Sequence, residues 1–156
     1  MYENLKMEFS PEGLALLKQW EGLRLRAYKD SGGVWTIGYG HIETAKPGMT
    51  ITEEQATELL LDYDLPKYES AVNRYVTVAL SQLQFDALVV FCFNVGIRAF
   101  KTSTLLKVLN RGDYDDVDDQ YMRWVYVNKE RVQGLVNRRA ASAVMFNRGI
   151  FNGNPA

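Results

Sequence analysis

One cysteine and one histidine occur in 156 residues. With Cys92 alone, no intrachain disulfide can form. It lies within Val89-Val90-Phe91-Cys92-Phe93 and reads as a small buried hydrophobe. A nucleophilic cysteine would want a histidine beside it, and the lone His41 sits in a glycine-rich stretch instead. No set of potential ligands has the regular spacing of a metal site, so neither a metal nor another cofactor is expected. No run approaches the ~18 apolar residues of a membrane span. Met1–Phe9 lacks the apolar segment of a secretory signal. The formal net charge is −1, with basic residues scattered apart from Arg138-Arg139, which excludes any bulk electrostatic case for a nucleic acid or a membrane surface. Repeats and low-complexity tracts are absent. What remains is an ordinary globular composition, 47% hydrophobic and 24% charged, in a chain long enough for one domain with a real core.

The informative stretch is Trp20-Glu21-Gly22-Leu23-Arg24-Leu25-Arg26-Ala27-Tyr28-Lys29-Asp30-Ser31-Gly32-Gly33-Val34-Trp35-Thr36-Ile37-Gly38-Tyr39-Gly40-His41. It reads as the end of a helix over 10–21 followed by a hairpin over 22–40. Ser10 suits the N-cap and Pro11 the first helical position. Leu14, Leu17 and Glu21 then share a face, with Leu16 and Trp20 beside them. A carboxyl ending an apolar stripe should be partly desolvated, which raises its pKa toward that of a working general acid. An exposed glutamate at a frayed helix end, stopped by Gly22, is the alternative. In the hairpin, alternation puts Trp35, Ile37 and Tyr39 on a core face and Thr36, Gly38 and Gly40 on a face without bulk, where a ligand could approach the backbone. Asp30-Ser31-Gly32-Gly33 is turn chemistry, and Asp30 is either a functional carboxylate or a turn aspartate bonding its own backbone.

Further along, Pro47-Gly48 marks a turn in the loop His41–Met49. Thr52-Glu53-Glu54-Gln55 is a capping box opening a helix with Ala56, Leu59, Leu60 and Tyr63 on one face. Asp64-Leu65-Pro66 interrupts it, and a new helix or a sharp kink is expected there, running toward Tyr75. Ser81-Gln82-Leu83-Gln84 is a second capping box, before an almost wholly apolar helix from Phe85 to Phe93 that Asn94-Val95-Gly96 ends. A helix opened at Lys101–Thr104 should stop at Asn110-Arg111-Gly112. Asp113 is expected to cap the next, which holds Val117, Tyr121 and Trp124. Asn128-Lys129-Glu130 reads as a polar loop. A last helix begins at Gly134 and ends near Gly149. Strands confined to one early segment and helices after it predict an α+β fold.

Glu21-Gly22-Leu23-Arg24-Leu25-Arg26-Ala27-Tyr28-Lys29-Asp30, with Thr36-Ile37-Gly38-Tyr39-Gly40-His41 after it, closely resembles the active-site region of the bacteriophage-type lysozymes, the T4- and P22-like endolysins of glycoside hydrolase family 24. Phe93-Asn94-Val95-Gly96, Ser103-Thr104-Leu105-Leu106, Arg123-Trp124 and Gly134-Leu135-Val136-Asn137-Arg138-Arg139 fit the same family, with a looser fit from Asp113 to Gln133. The resemblance implies a lysozyme-like fold: a small β-containing lobe over 22–63 and a larger helical lobe over 1–21 and 64–156, flanking a cleft. It implies hydrolysis of the β-1,4 bond between N-acetylmuramic acid and N-acetylglucosamine in bacterial peptidoglycan. It carries the acid onto Glu21, the second carboxylate onto Asp30 and the threonine onto Thr36, with Asp30 and Thr36 holding water so that the anomeric centre inverts. Substrate contacts fall on Ile42, Phe93, Ser103 and Asp118. Each has a plainer alternative: core for Ile42 and Phe93, a cap for Ser103, surface for Asp118, which departs from an asparagine. Arg138 would pair with Glu21, unless Arg138-Arg139 is a solvated basic face. His41 is expected to be structural, tying the hairpin to a polar neighbour.

Glycoside hydrolysis needs one carboxyl protonated and the other ionised. The apolar helix face suits Glu21 to the first task and the N–H-rich turn suits Asp30 to the second. Two rival readings remain: a peptidoglycan-binding module without catalysis, which would predict a broken Glu21, Asp30 or Thr36, and a lytic transglycosylase, which needs one acid only. A monomer without stable membrane insertion is expected, and with no signal segment read in the sequence the resemblance implies synthesis in the host cytoplasm and release to the wall by a separate membrane-permeabilising protein.

Overall fold

The computed structural model describes residues 6–151 and 154–155. They form two compact units: Leu14–Lys67, and the chain before and after that span. The first helix, α1, covers Pro11–Glu21. Ser10 caps it, its Oγ accepting from Gly13 N–H at 3.2 Å and bonding the Asp86 carboxylate. The chain before α1 is tied down at Met7 and Phe9, and residues 1–5 lie outside the described residues. Met7 exchanges two backbone bonds with the Asn73 side chain, and Phe9 N–H donates to Glu69.

In the unit Leu14–Lys67, β1 (Arg24–Lys29) pairs antiparallel with β2 (Trp35–Gly38), with Tyr28 opposite Thr36 and Lys29 opposite Trp35. The stretch around Thr50 bridges to Arg26 on the other edge of β1. The alternation expected in the hairpin breaks at its end. Gly38 and Gly40 have φ of +66° and +82°, and the chain doubles back so that Ile37 and His41 exchange both backbone bonds. Trp35 is only half-buried, and the face without bulk is closed rather than open at Gly38. A methyl group there would stand 3.3 Å from the Ala56 Cβ and 3.4 Å from the Ile51 Cδ1.

Helix α2 (Glu53–Glu58) starts at the predicted capping box, Thr52 and Gln55 satisfying each other's backbone N–H. The change expected at Asp64-Leu65-Pro66 is present: a new helical segment starts at Leu65, with Pro66 in its first turn and no gap before it. A π-helical turn, Leu59–Asp64, runs directly into α3 (Leu65–Tyr75), and Leu65 N–H reaches back five residues to Leu60 C=O. The wide turn absorbs a proline that has no N–H to donate.

In the other unit, α4 (Gln82–Val95) is buried continuously from Gln84 to Cys92, as its sequence predicts, behind the Ser81–Gln84 capping box. Gly96, at φ +96°, ends it and starts α5 (Ile97–Lys101), a turn of helix the sequence pattern does not announce. Helix α6 (Thr104–Asn110) buries Leu105, Leu106, Val108 and Leu109. Asp113 does not act as the expected helix cap. It pairs with Arg111 instead, and a 3-10 turn over Tyr114–Asp116 leads into a short α7 (Val117–Tyr121) that stops before Trp124. Residues 125–134 contain a miniature hairpin, β3 (Tyr126–Val127) with β4 (Glu130–Arg131), turning through Asn128 and Lys129 at φ +50° and +68°. Helix α8 (Gln133–Arg148) packs on α4 with Arg139, Ser142, Ala143, Met145 and Phe146 buried. A final ladder joins β5 (Ile150–Phe151) to β6 (Asn154–Pro155). The Phe91 ring is the hub of this core, with Phe100, Tyr121 and Trp124 edge-on to it at 6.4, 5.3 and 5.4 Å. Burying each such ring is worth about 1.5–3 kcal/mol.

Candidate active site

Glu21, Asp30, Thr36, His41 and Ile42 all belong to the unit Leu14–Lys67. Glu21 is the last residue of α1 and is half-buried. Gly22, at φ +70°, stops the helix behind it with an N–H bond to Lys18 C=O. The Glu21 carboxylate lies against Gly40: a methyl group on that glycine would sit 3.5 Å from Oε2. The bare backbone of the second glycine is therefore where the acid side chain rests.

Asp30 and Thr36 are joined through one residue. Asp30 Oδ1 accepts from the N–H groups of Gly32 and Val34, both at 2.9 Å. The Val34 carbonyl accepts from Asp30 N–H at 2.9 Å and from Thr36 Oγ1 at 3.0 Å. Among the described bonds the other oxygen, Oδ2, is not engaged, and the Thr36 hydroxyl donates but does not accept. Asp30 is thus a turn aspartate that keeps half of its carboxylate outward. The structural and functional roles are not exclusive.

His41 is 1% exposed. Its Nδ1 lies 3.1 and 3.0 Å from the two oxygens of Asp64, and its Nε2 lies 2.7 Å from the Thr44 hydroxyl. Tyr63 stands edge-on at 5.6 Å. Burial pushes the Asp64 carboxyl above its ordinary range, and His41 pulls it back. This pair ties the hairpin to the π-helical turn, the structural role expected of His41, but the sequence did not name Asp64 as the partner. Ile42, the next residue, is 51% exposed.

Phe93, Ser103, Asp118 and Arg138 belong to the other unit. Phe93 leaves the buried run of α4 half-exposed, against the Tyr68 ring at 4.9 Å. Ser103 caps α6: it is 4% exposed, donates to Phe100 C=O at 2.7 Å and accepts from Leu106 N–H at 3.1 Å. Its hydroxyl hydrogen is committed to the fold. Asp118 starts α7 half-buried, with Asn147 of α8 donating to Oδ2 at 3.3 Å. Arg138 is half-buried on α8. Arg138-Arg139 is not a solvated basic face, because Arg139 is 2% exposed and points its guanidinium into the core. Among the described residues no group of histidine, cysteine, aspartate and glutamate could hold a metal ion.

Residues 18–142 match the family model of phage lysozyme. The chain belongs to the phage lysozyme family. It is therefore a glycosidase of the lysozyme class, a peptidoglycan hydrolase. It is 44% identical over 144 residues to the endolysin of Acyrthosiphon pisum secondary endosymbiont phage 1, covering 90% of this chain and 98% of that one. The endolysin of Bacillus phage PZA is 42% identical over 146 residues, 92% of this chain, which spans only 56% of that relative's length. Among solved structures, the muramidase domain of SpmX from Asticaccaulis excentricus superposes with a TM-score of 0.83 at 39% identity, over 89% of this chain and 97% of that one. The lysozyme-like α+β fold expected from the sequence is thus the fold of its relatives.

Proposed function

We propose that this lysozyme cleaves the β-1,4 bond between N-acetylmuramic acid and N-acetylglucosamine with inversion, Glu21 acting as general acid and Asp30 with Thr36 holding the attacking water. The Val34 linkage between Asp30 and Thr36 carries the reading. It presents one acceptor on each side chain, Asp30 Oδ2 and the Thr36 hydroxyl oxygen. A water donating one hydrogen to each keeps a lone pair free for the anomeric carbon. Glu21 passes its proton to the leaving oxygen as the glycosidic bond breaks. Asp30 takes the proton that the water loses, and the product is the α anomer. Ile42, Phe93, Ser103 and Asp118 are proposed to contact the sugar chain and Arg138 to position Glu21.

The deciding experiment is Glu21→Gln. Clearing of cell-wall suspensions should fall about 10²–10⁴-fold with unfolding unchanged. Binding without clearing in the wild type would favour a wall-binding module. Muropeptides one water lighter would favour a transglycosylase. Retention in early products, read by NMR, would overturn the water-holding role of Asp30 and Thr36. We further propose that the chain works as a monomer and reaches the wall through a separate membrane-permeabilising protein. Sedimentation, and lysis of intact cells with and without a permeabilising agent, test these two points.

A further inference from the structure

Among the described residues, the buried cation Arg139 has no carboxylate partner. Its Nε donates to Trp124 C=O at 3.1 Å and its Nη2 donates to Asn94 Oδ1, both neutral acceptors. The guanidinium faces the Phe91 ring at 5.3 Å. Among the described residues no ion pair joins it to an aspartate or glutamate. Burial, with Arg138 next to it, lowers its pKa to about 10, against the pull of Tyr121, so the group is still charged at neutral pH. A buried charge balanced only by neutral groups is strongly destabilising.

Three buried donors near this charge are unused. Among the described residues, Arg139 Nη1, Tyr121 Oη and Ser142 Oγ have no hydrogen-bond partner. Ser142 is fully buried three residues beyond Arg139, on the same face of α8. Tyr121, also fully buried, stands edge-on to the Phe91 ring that the guanidinium faces, and beside Phe146, one turn beyond Ser142. Burial raises the Tyr121 pKa, so its hydroxyl keeps its proton.

We infer that Arg139, Tyr121 and Ser142 bind one small monovalent anion, with chloride the physiological occupant. A water could satisfy these hydrogen bonds but not the charge. The three side chains are almost fully buried, which favours a monatomic anion over a bulky one. Occupancy stabilises the folded state by mass action.

Thermal unfolding at constant ionic strength tests this, with gluconate, too large to enter, replaced stepwise by chloride or bromide. The melting temperature should rise by about 2–4 °C and saturate. A flat profile overturns the site. Arg139→Gln should abolish the rise, and an undiminished rise in that variant overturns it. Should Arg139→Gln fail to fold, Ser142→Asp serves: a carboxylate beside Arg139 should replace the anion and remove the response, whereas a response equal to wild type refutes the assignment. A bromide-soaked crystal should show an anomalous peak in contact with Arg139 Nη1. Peaks confined to the surface, an adventitious ion only, or a water in that place, would count against it.

Discussion

Gly40 lies against the Glu21 carboxylate, and a methyl group at Gly40 would touch Oε2 at 3.5 Å from a backbone at φ +82°. The left-handed backbone demands glycine, and the acid side chain lies at ordinary van der Waals distance from where its methyl group would be. Gly40→Ala should lose about 1–2 kcal/mol of stability from the left-handed conformation. It should also lose wall-clearing activity by more than the fraction unfolded. Gly38→Ala is the control. It is strained in the same way, at φ +66°, but its methyl group meets Ala56 and Ile51, so its remaining folded molecules should clear walls normally. Urea melts and turbidity assays on both variants decide the matter, and equal activity losses would remove any special role for Gly40.

Thr36 offers a cleaner probe of the water-holding pair. Thr36→Ser keeps the hydroxyl bonded to Val34 C=O and should keep most activity. Thr36→Val removes it, while Asp30 N–H still satisfies that carbonyl. The stability cost should stay near 1 kcal/mol, with a fall of about tenfold or more in kcat. A valine variant as active as the serine variant would separate Thr36 from the chemistry.

The His41–Asp64 pair is costly to bury and costlier to break. Asp64→Ala leaves His41 Nδ1 buried without an acceptor, and should destabilise by about 1–3 kcal/mol. Asp64→Asn retains a neutral acceptor and should lose less. Chemical denaturation of the two variants gives the comparison directly.

Ser103 distinguishes a cap from a sugar contact. Ser103→Ala removes the α6 cap and a buried hydroxyl with two partners, and should cost about 1–2 kcal/mol. If the cap is its main role, KM for soluble wall fragments should be unchanged at a temperature where the variant is folded. A raised KM would return Ser103 to the substrate.

Cys92 is fully buried, and burial pushes its thiol up to about 12. The thiolate that thiol reagents require is therefore scarce across the whole working range. Native protein should resist a disulfide reagent at pH 8–9, and treatment should leave wall clearing intact. Denatured protein should react at once.

Local chemistry was legible in the residues themselves. Ser10, Thr52–Gln55 and Ser81–Gln84 start helices because a side-chain oxygen meets an N–H within the same turn, and no distant partner is needed. Asp30-Ser31-Gly32-Gly33 closes its own hairpin for the same reason. The apolar run Phe85–Phe93 named the buried helix because it leaves no face for water. Asn128 and Lys129 turn a hairpin without glycine, and a pattern reading cannot expect positive φ there. Pro66 marked the start of a new helical segment, but local rules did not announce the π-helical turn that leads into it without a gap.

Other features exist only by virtue of tertiary contact. The partnership of Asp64 with His41 joins residues 23 apart in the chain. The seat of Glu21 on Gly40 depends on where α1 ends relative to a turn that doubles back. Above all, two adjacent arginines look alike in the sequence, and only the packing of α8 on α4 puts Arg139 into an aromatic core, with no carboxylate paired to it among the described residues. Capping and turn chemistry act over a few residues, so the sequence by itself determined them. Desolvation and the pairing of buried charges depend on what the rest of the chain places around each group, and only the tertiary structure decided those.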